Sequence, residues 1–172
     1  MRIVAGLSLF LAALWCGAMG FFAATAGLVL ATSTSHHAGG TVNRALLDAL
    51  DLGSYTAVAV LLLLLLLGSR AGAFSKGTRG ALLRLLALAL AATVASHELV
   101  TPQMMELRSR MASAIDLVPE TDPLRQEWGR LHGLSSVALL VRILAAAAFF
   151  AVLYRRSMPV PQPFVSTPPS RS

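Results

Sequence analysis

With one cysteine, Cys16, in 172 residues, the chain can hold neither an internal disulfide framework nor a Cys-rich zinc or iron–sulfur site. Charge is scarce as well: 13% of residues are charged, against about 25% in an ordinary soluble domain. At 56% hydrophobic content and a mean hydropathy of +0.70, that shortage excludes a disordered chain and a conventional water-soluble surface. The length leaves no room for a second catalytic domain. Missing too are a Walker loop, a dinucleotide-binding glycine fingerprint, a nucleophile elbow and a zinc-protease helix motif, and no Ser–His–Asp arrangement stands out. An enzyme is therefore not expected, nor is a cofactor. Lysine is nearly absent: of 14 basic residues, 13 are Arg and one is Lys76. Together with heavy Ala and Leu usage, this suggests a GC-rich bacterial genome. The net charge of +6 invites a nucleic-acid reading, but the basic residues are spread over loops and ends and form no basic face, so no nucleic-acid partner is expected.

What the chain has in quantity is long apolar runs. A helix crosses the hydrocarbon core of a bilayer with about 20 residues. Residues 3–31 carry no charged side chain, too long a run for the apolar region of a signal peptide, which is about 7–15 residues. Trp15 beside Cys16 also spoils a lipoprotein-type cleavage site. The second run, 52–68, holds seven consecutive leucines, Leu61 to Leu67. Upstream of it, Thr41 to Leu52 reads as an amphipathic interfacial helix. Arg44, Asp48 and Asp51 lie on its polar face, and Gly53-Ser54 is a plausible kink. A third span covers 81–102 and a fourth 133–154. Residues 157–172 contain five prolines and read as a disordered tail. The expected fold is all-α: an integral membrane four-helix bundle over 1–156.

Orientation follows the distribution of Lys and Arg. Arg2, Arg70, Lys76, Arg79, Arg84, Arg155, Arg156 and Arg171 fall on one side; Arg44, Arg108, Arg110, Arg125 and Arg130 fall on the other. Both termini are thus expected in the cytoplasm of a bacterium, with the chain in its inner membrane. The first span carries Ala13/Gly17, Gly20/Ala24 and Ala23/Gly27 pairs. Small residues let helices approach closely in lipid, and packing inside the monomer is their expected role, with homo-oligomerisation the alternative.

The third and fourth spans are expected to form a long hairpin that projects beyond the bilayer. Met104, Leu107, Met111 and Ile115 continue a helical stripe to Leu117, Pro119 marks the tip, and Asp122-Pro123 starts the returning helix. If two equal arms turn around position 120, Glu98 lies opposite Arg142, Arg108 opposite His132, and Met105 opposite Ser135. The facing stripes make an intramembrane polar seam of Glu98, Arg142, His97, Thr101, Arg108, His132, Ser135 and Ser136. Charges within a bilayer are costly when isolated, so Glu98 and Arg142 are expected to pair. In this register His97 and His132 stand about 11 residues, roughly 16 Å, apart along the axis, too far to share a metal ion. The adjacent His36-His37 pair lies in a loop, and no metal site is expected.

Several segments carry a family likeness. Leu131-His132-Gly133-Leu134-Ser135-Ser136, preceded by Asp122-Pro123-Leu124-Arg125-Gln126, together with Thr101-Pro102-Gln103 and Leu14-Trp15-Cys16-Gly17 before Phe21-Phe22, resembles the transmembrane protein 205-like family. The resemblance runs from Leu7 to Tyr154. It implies a small four-helix membrane protein and supplies no activity. The functional expectation is a non-enzymatic structural or interaction protein, in contact with the lipid bilayer and with either a second copy or an unidentified membrane-protein partner. Its alternatives are a small oligomeric transporter or ion-conducting protein, and a haem- or metal-binding membrane protein.

Overall fold

A computed structural model describes residues 2–111 and 115–157 of the chain. The proline-rich tail beyond Ser157 lies outside the described residues. All regular structure among the described residues is helical. Helix α1 is Arg2–Thr32, α2 is His36–Arg70 and α3 is Lys76–Val94. A π-helical stretch, Ala95–Val100, joins α3 to α4 (Thr101–Arg110); a single 3-10 turn, Ile115–Leu117, and α5 (Pro123–Ser157) follow. Four continuous helical segments are long and apolar enough to cross a membrane: Ile3–Thr32, His37–Arg70, Lys76–Arg110 and Pro123–Arg156. The chain is a multi-pass membrane protein built on a four-helix bundle.

Local chemistry sets the helix ends. Ser35 caps α2, its Oγ accepting the Ala38 N–H at 3.1 Å, and Ser75 caps α3 through the Thr78 N–H at 3.3 Å. Asp122 caps α5, accepting from the N–H groups of Leu124 at 2.8 Å and Arg125 at 3.3 Å, with Pro123 in the first turn. Helix α2 ends in a Schellman motif. Gly72 adopts φ +71°, its N–H bonds Ser69 O at 3.1 Å, and Ala73 N–H bonds Gly68 O at 2.8 Å. Phe74 then folds onto Gly68, where a Cβ would meet its ring at 2.6 Å. A side chain at Gly68 would have to displace the Phe74 ring, and one at Gly72 would hold a strained positive φ.

Around the bundle α1 neighbours α2, α2 neighbours α3, α3 neighbours α5, and α5 closes back on α1. Helices α2 and α5, at 35 residues each, are about 50 Å long, well beyond a hydrocarbon core of about 30 Å. The third span, Lys76–Arg110, and the fourth, Pro123–Arg156, pack against each other as a hairpin of helices likewise longer than that core. The core is formed by Ala12, Trp15 and Met19 of α1, Leu61 and Leu65 of α2, Leu82 and Leu86 of α3, and Phe149 and Leu153 of α5. The leucine run shows helical periodicity at work: Leu61 and Leu65 are buried, while Leu63 and Leu67 face outward. Outward-facing Phe10, Phe21, Leu28, Leu88, Leu134 and Leu144 form a surface that water would penalise and lipid solvates.

Three expectations are corrected. Helix α2 begins at His36, earlier than the expected start at Thr41, and is continuous through Gly53 and Ser54. The stripe from Met104 toward Leu117 does not stay helical. Helix α4 ends at Arg110, Met111 turns to extended backbone with ψ 130° and becomes buried, and Ile115–Leu117 is a 3-10 turn. Outside the bilayer water can satisfy backbone groups, so the helix is free to stop where Met111 and Val118 can be buried. The small-residue pairs of α1 do not serve packing inside the chain: a Cβ added at Gly17, Gly20 or Gly27 would meet nothing within 4 Å. Helix α1 packs instead through Ala12, Trp15 and Met19.

Candidate functional site

The short helix α4 also resets the hairpin register. The two arms are unequal, because α4 stops at Arg110 while α5 starts at Pro123. Ser96 Oγ therefore lies 3.1 Å from Ser135 Oγ, where two equal arms would have placed Leu144. The shift is about two and a half helical turns, and it removes Glu98 from Arg142.

Arg142 finds another acid. Its side chain is fully buried, and Nη1 donates to Oδ1 of Asp51 at 2.5 Å, with Asp51 only 1% exposed. Nη2 donates to Ser54 Oγ at 2.8 Å. Ser54 Oγ also accepts from Trp15 Nε1 at 3.1 Å and donates to the carbonyl of Leu50 at 2.8 Å. Residues from α1, α2 and α5 are thus tied into one buried network. Asp51 and Ser54 are three apart on α2, so both face the same neighbour. Arg142 Nε is buried without a hydrogen-bond partner. Two of the guanidinium's three nitrogens are held, and the third fits no acceptor among the described residues.

The network continues outward through the π-helix. His97 Nδ1 lies 3.1 Å from Asp51 Oδ2 and 4.0 Å from Asp48 Oδ1. His97 Nε2 lies 3.8 Å from Glu98 Oε1, which accepts the Tyr55 hydroxyl at 3.3 Å. The Tyr55 and His97 rings meet edge to face, their centroids 6.2 Å apart. Exposure falls along this path, from 58% for the Glu98 side chain through 31% for His97 to 1% for Asp51. Asp48 pairs with Arg44 four residues earlier on the shared polar face of α2.

The seam expected from the sequence is therefore divided. Arg142 and His97 meet at Asp51, and Glu98 joins at the outer side of His97. Ser135 pairs with Ser96, and Thr101 is buried just past the π-helix. The remaining members face elsewhere. His132 is exposed and stacks on Trp128, with ring centroids 5.1 Å apart, while Ser136 Oγ bonds the His132 carbonyl within α5. Arg108 lies on α4, half-buried, beyond the cluster. His97 and His132 hold different partners and do not converge on one site. The residues that sequence reasoning missed are Asp51, Ser54, Trp15 and Tyr55. Their signal is the spacing Asp48, Asp51, Ser54, which carries the polar face of α2 straight into its apolar run.

Two chemical capacities follow. The Asp51–Arg142 pair can fix helix register, since its charges are consumed by each other and by Ser54. Asp48, Asp51 and His97 present ligand-type atoms that all lie within 4.8 Å of one another. A continuous polar path across the bundle is not formed by the described residues. Beyond Ser54 and Trp15, toward Arg70 and Arg155, the interior is Leu61, Leu65, Leu82, Leu86, Phe149 and Leu153.

Residues 10–113 match a family model described as a domain of unknown function (DUF4149). The match covers more than half of the chain, and the chain belongs to that family. No curated protein matches it. No solved structure matches it.

Proposed function

We propose that this member of the DUF4149 family is a non-enzymatic protein of the bacterial inner membrane, a structural or interaction partner whose four spans are held in register by a buried ionic lock. One observation carries this reading: Arg142 is fully buried, and its charge is taken up by Asp51 and Ser54, leaving the cluster closed toward the apolar half of the bundle. A carrier or channel working within one chain needs polar groups on both sides of its site, and among the described residues the buried interior of the leucine-filled half offers only Ser8 and Thr78, whose hydroxyls bond locally to Val4 and Ser75. Both termini lie in the cytoplasm in this reading, supported by Arg70, Lys76, Arg79, Arg84, Arg155 and Arg156 at one end of the bundle. The likeness of Leu131 to Ser136 to the transmembrane protein 205-like family fits the same picture. Its partners are the lipid bilayer and a second copy or another membrane protein.

Liposome reconstitution tests the closed lock. Proton and monovalent-cation flux through liposomes holding the full chain should equal that of empty liposomes. A flux that requires the protein and is lost in Asp51→Asn would replace this reading with the transporter alternative. A periplasm-active reporter inserted near Pro119 should be active and one fused after Arg156 inactive; the reverse pattern would invert the topology.

A further inference from the structure

We propose that Asp48, Asp51 and His97 bind a divalent transition-metal ion of the zinc class at the open rim of the ionic lock. The inference goes beyond the structural role of the lock and stands on different atoms. Asp51 uses Oδ1 for Arg142, and its Oδ2 faces His97 Nδ1 at 3.1 Å. Asp48 points Oδ1 at the same nitrogen from 4.0 Å. Arg44 Nε lies 2.9 Å from Asp48 Oδ1 and 3.0 Å from Oδ2, but its N–H is directed at Oδ2. Asp48 Oδ1 is consequently a buried acceptor atom with no hydrogen bond. Two carboxylate oxygens thus converge on one ring nitrogen that can carry at most one proton. A dication in place of that proton would engage all three donors.

The spacing suits such an ion. With bonds of about 2.0–2.2 Å, tetrahedral ligand atoms stand about 3.3–3.5 Å apart. The two separations from His97 Nδ1, 3.1 and 4.0 Å, bracket that value. One imidazole nitrogen with two carboxylate oxygens suits a first-row transition ion, whereas calcium and magnesium take oxygen ligands alone. Outer contacts that hold metal ligands in place are present as well. Metal-bound histidines usually give their other ring N–H to a carboxylate, and His97 Nε2 has Glu98 Oε1 at 3.8 Å. Arg142 fixes the orientation of Asp51, and Tyr55 fixes Glu98. Charge points the same way. Asp48, Asp51 and Glu98 face two guanidinium groups, those of Arg44 and Arg142, which leaves a negative excess when His97 is neutral. The π-helix is a second, separate sign. Its i→i+5 turn is rare and frequent at functional sites, and here it carries His97, which reaches Asp51 of α2. The side chains of Asp48 and His97 are 44% and 31% exposed, which leaves a route for the ion and room for a water ligand.

The test uses the full chain in detergent, stripped with a chelator and titrated with Zn²⁺ by equilibrium dialysis. One ion should bind per chain. His97→Gln and Asp48→Asn should each weaken binding at least about tenfold, the loss typical even for residues that only orient a metal ligand. A His36→Gln/His37→Gln double variant and His132→Gln should leave it unchanged. Co²⁺ offers a second readout: wild type should show the visible absorption of a tetrahedral cobalt centre, and His97→Gln should not. Both informative substitutions are at partly exposed side chains, and metal-free melting curves check their folding. The absence of saturable Zn²⁺ binding and of the Co²⁺ band in wild type would overturn the proposal, even if a variant misfolds. Binding that survives in His97→Gln and Asp48→Asn, or that disappears in the His36/His37 double variant, would overturn it as well.

Discussion

The two halves of this bundle are held together by different forces. Toward Arg70 and Arg155 the interior is mostly leucine, alanine and phenylalanine, the buried Ser8 and Thr78 bond within their own segments, and the helices meet through close packing. Toward His36 and Pro123 the same helices meet through Asp51, Arg142, Ser54, Trp15 and His97. Lipid tails are as apolar as leucine, so burying leucine between helices gains dispersion contacts but little hydrophobic free energy. Such packing is tolerant of sliding. A buried charge pair is not, because a helix that slips by one turn strands both charges in a poor solvent. The apolar half supplies a bulk that lipid accepts, and the polar half supplies a single register. Depth is consistent with this division. Asp51 stands about 28 Å along α2 from Arg70, near the far edge of a hydrocarbon core of about 30 Å, where ions can still reach its neighbours.

The contrast can be broken from either side. The largest effect is expected for Asp51→Ala, which leaves the Arg142 guanidinium buried and unpaired; removing one partner of a buried pair costs about 3–5 kcal/mol. A carboxylate left alone can take up a proton and a guanidinium cannot, so Arg142→Ala should cost less than Asp51→Ala. Unfolding in detergent micelles measures both. Ser54→Ala comes next. It removes the acceptor for Arg142 Nη2 and Trp15 Nε1, at about 1–3 kcal/mol for buried donors left unsatisfied, and the tryptophan emission should shift as its N–H loses its partner. In the apolar half, Leu61→Ala should cost about 1–2 kcal/mol, below the 2–5 usual for soluble cores, because lost contacts and a cavity remain but the transfer term is small. Glu98→Gln should be smallest, within about 0.5 kcal/mol, as expected at an exposed position that keeps an oxygen for Tyr55. A Glu98 effect as large as that of Asp51 would restore the pairing of Glu98 with Arg142.

Much of the fold was legible, because bilayer thickness and helical backbone satisfaction leave few alternatives for four long apolar runs. The Asp122-Pro123 start and the shared polar face of Arg44 and Asp48 were legible too, being local. The site was legible in part. Arg142, His97 and Glu98 stood out as charges in apolar surroundings, and all three belong to the cluster. The partner of Arg142 did not stand out, for two physical reasons. Asp51 sits where an interfacial face and a buried face of α2 coincide, and periodicity cannot separate water from a polar interior. The depth rule also assumed equal helical arms, whereas α4 stops at Arg110 and Met111 turns inward. A register error in one hairpin reassigned the acid on a different helix. The π-helix at Ala95–Val100 left no signal in the sequence, since its residues are compatible with an ordinary α-helical turn.

A double-mutant cycle on Asp51 and Arg142 reaches the central claim most directly. Asp51→Ala, Arg142→Ala and the double variant are each unfolded in the same detergent, with Glu98→Ala/Arg142→Ala as the parallel cycle. If Asp51 and Arg142 lock the helices together, the double variant is more stable than the sum of the single losses implies. The coupling should exceed about 1 kcal/mol, within the range for contacting residues, while Glu98 and Arg142 show strictly additive losses. Additive losses for Asp51 and Arg142, or strong coupling of Arg142 to Glu98, would contradict the account.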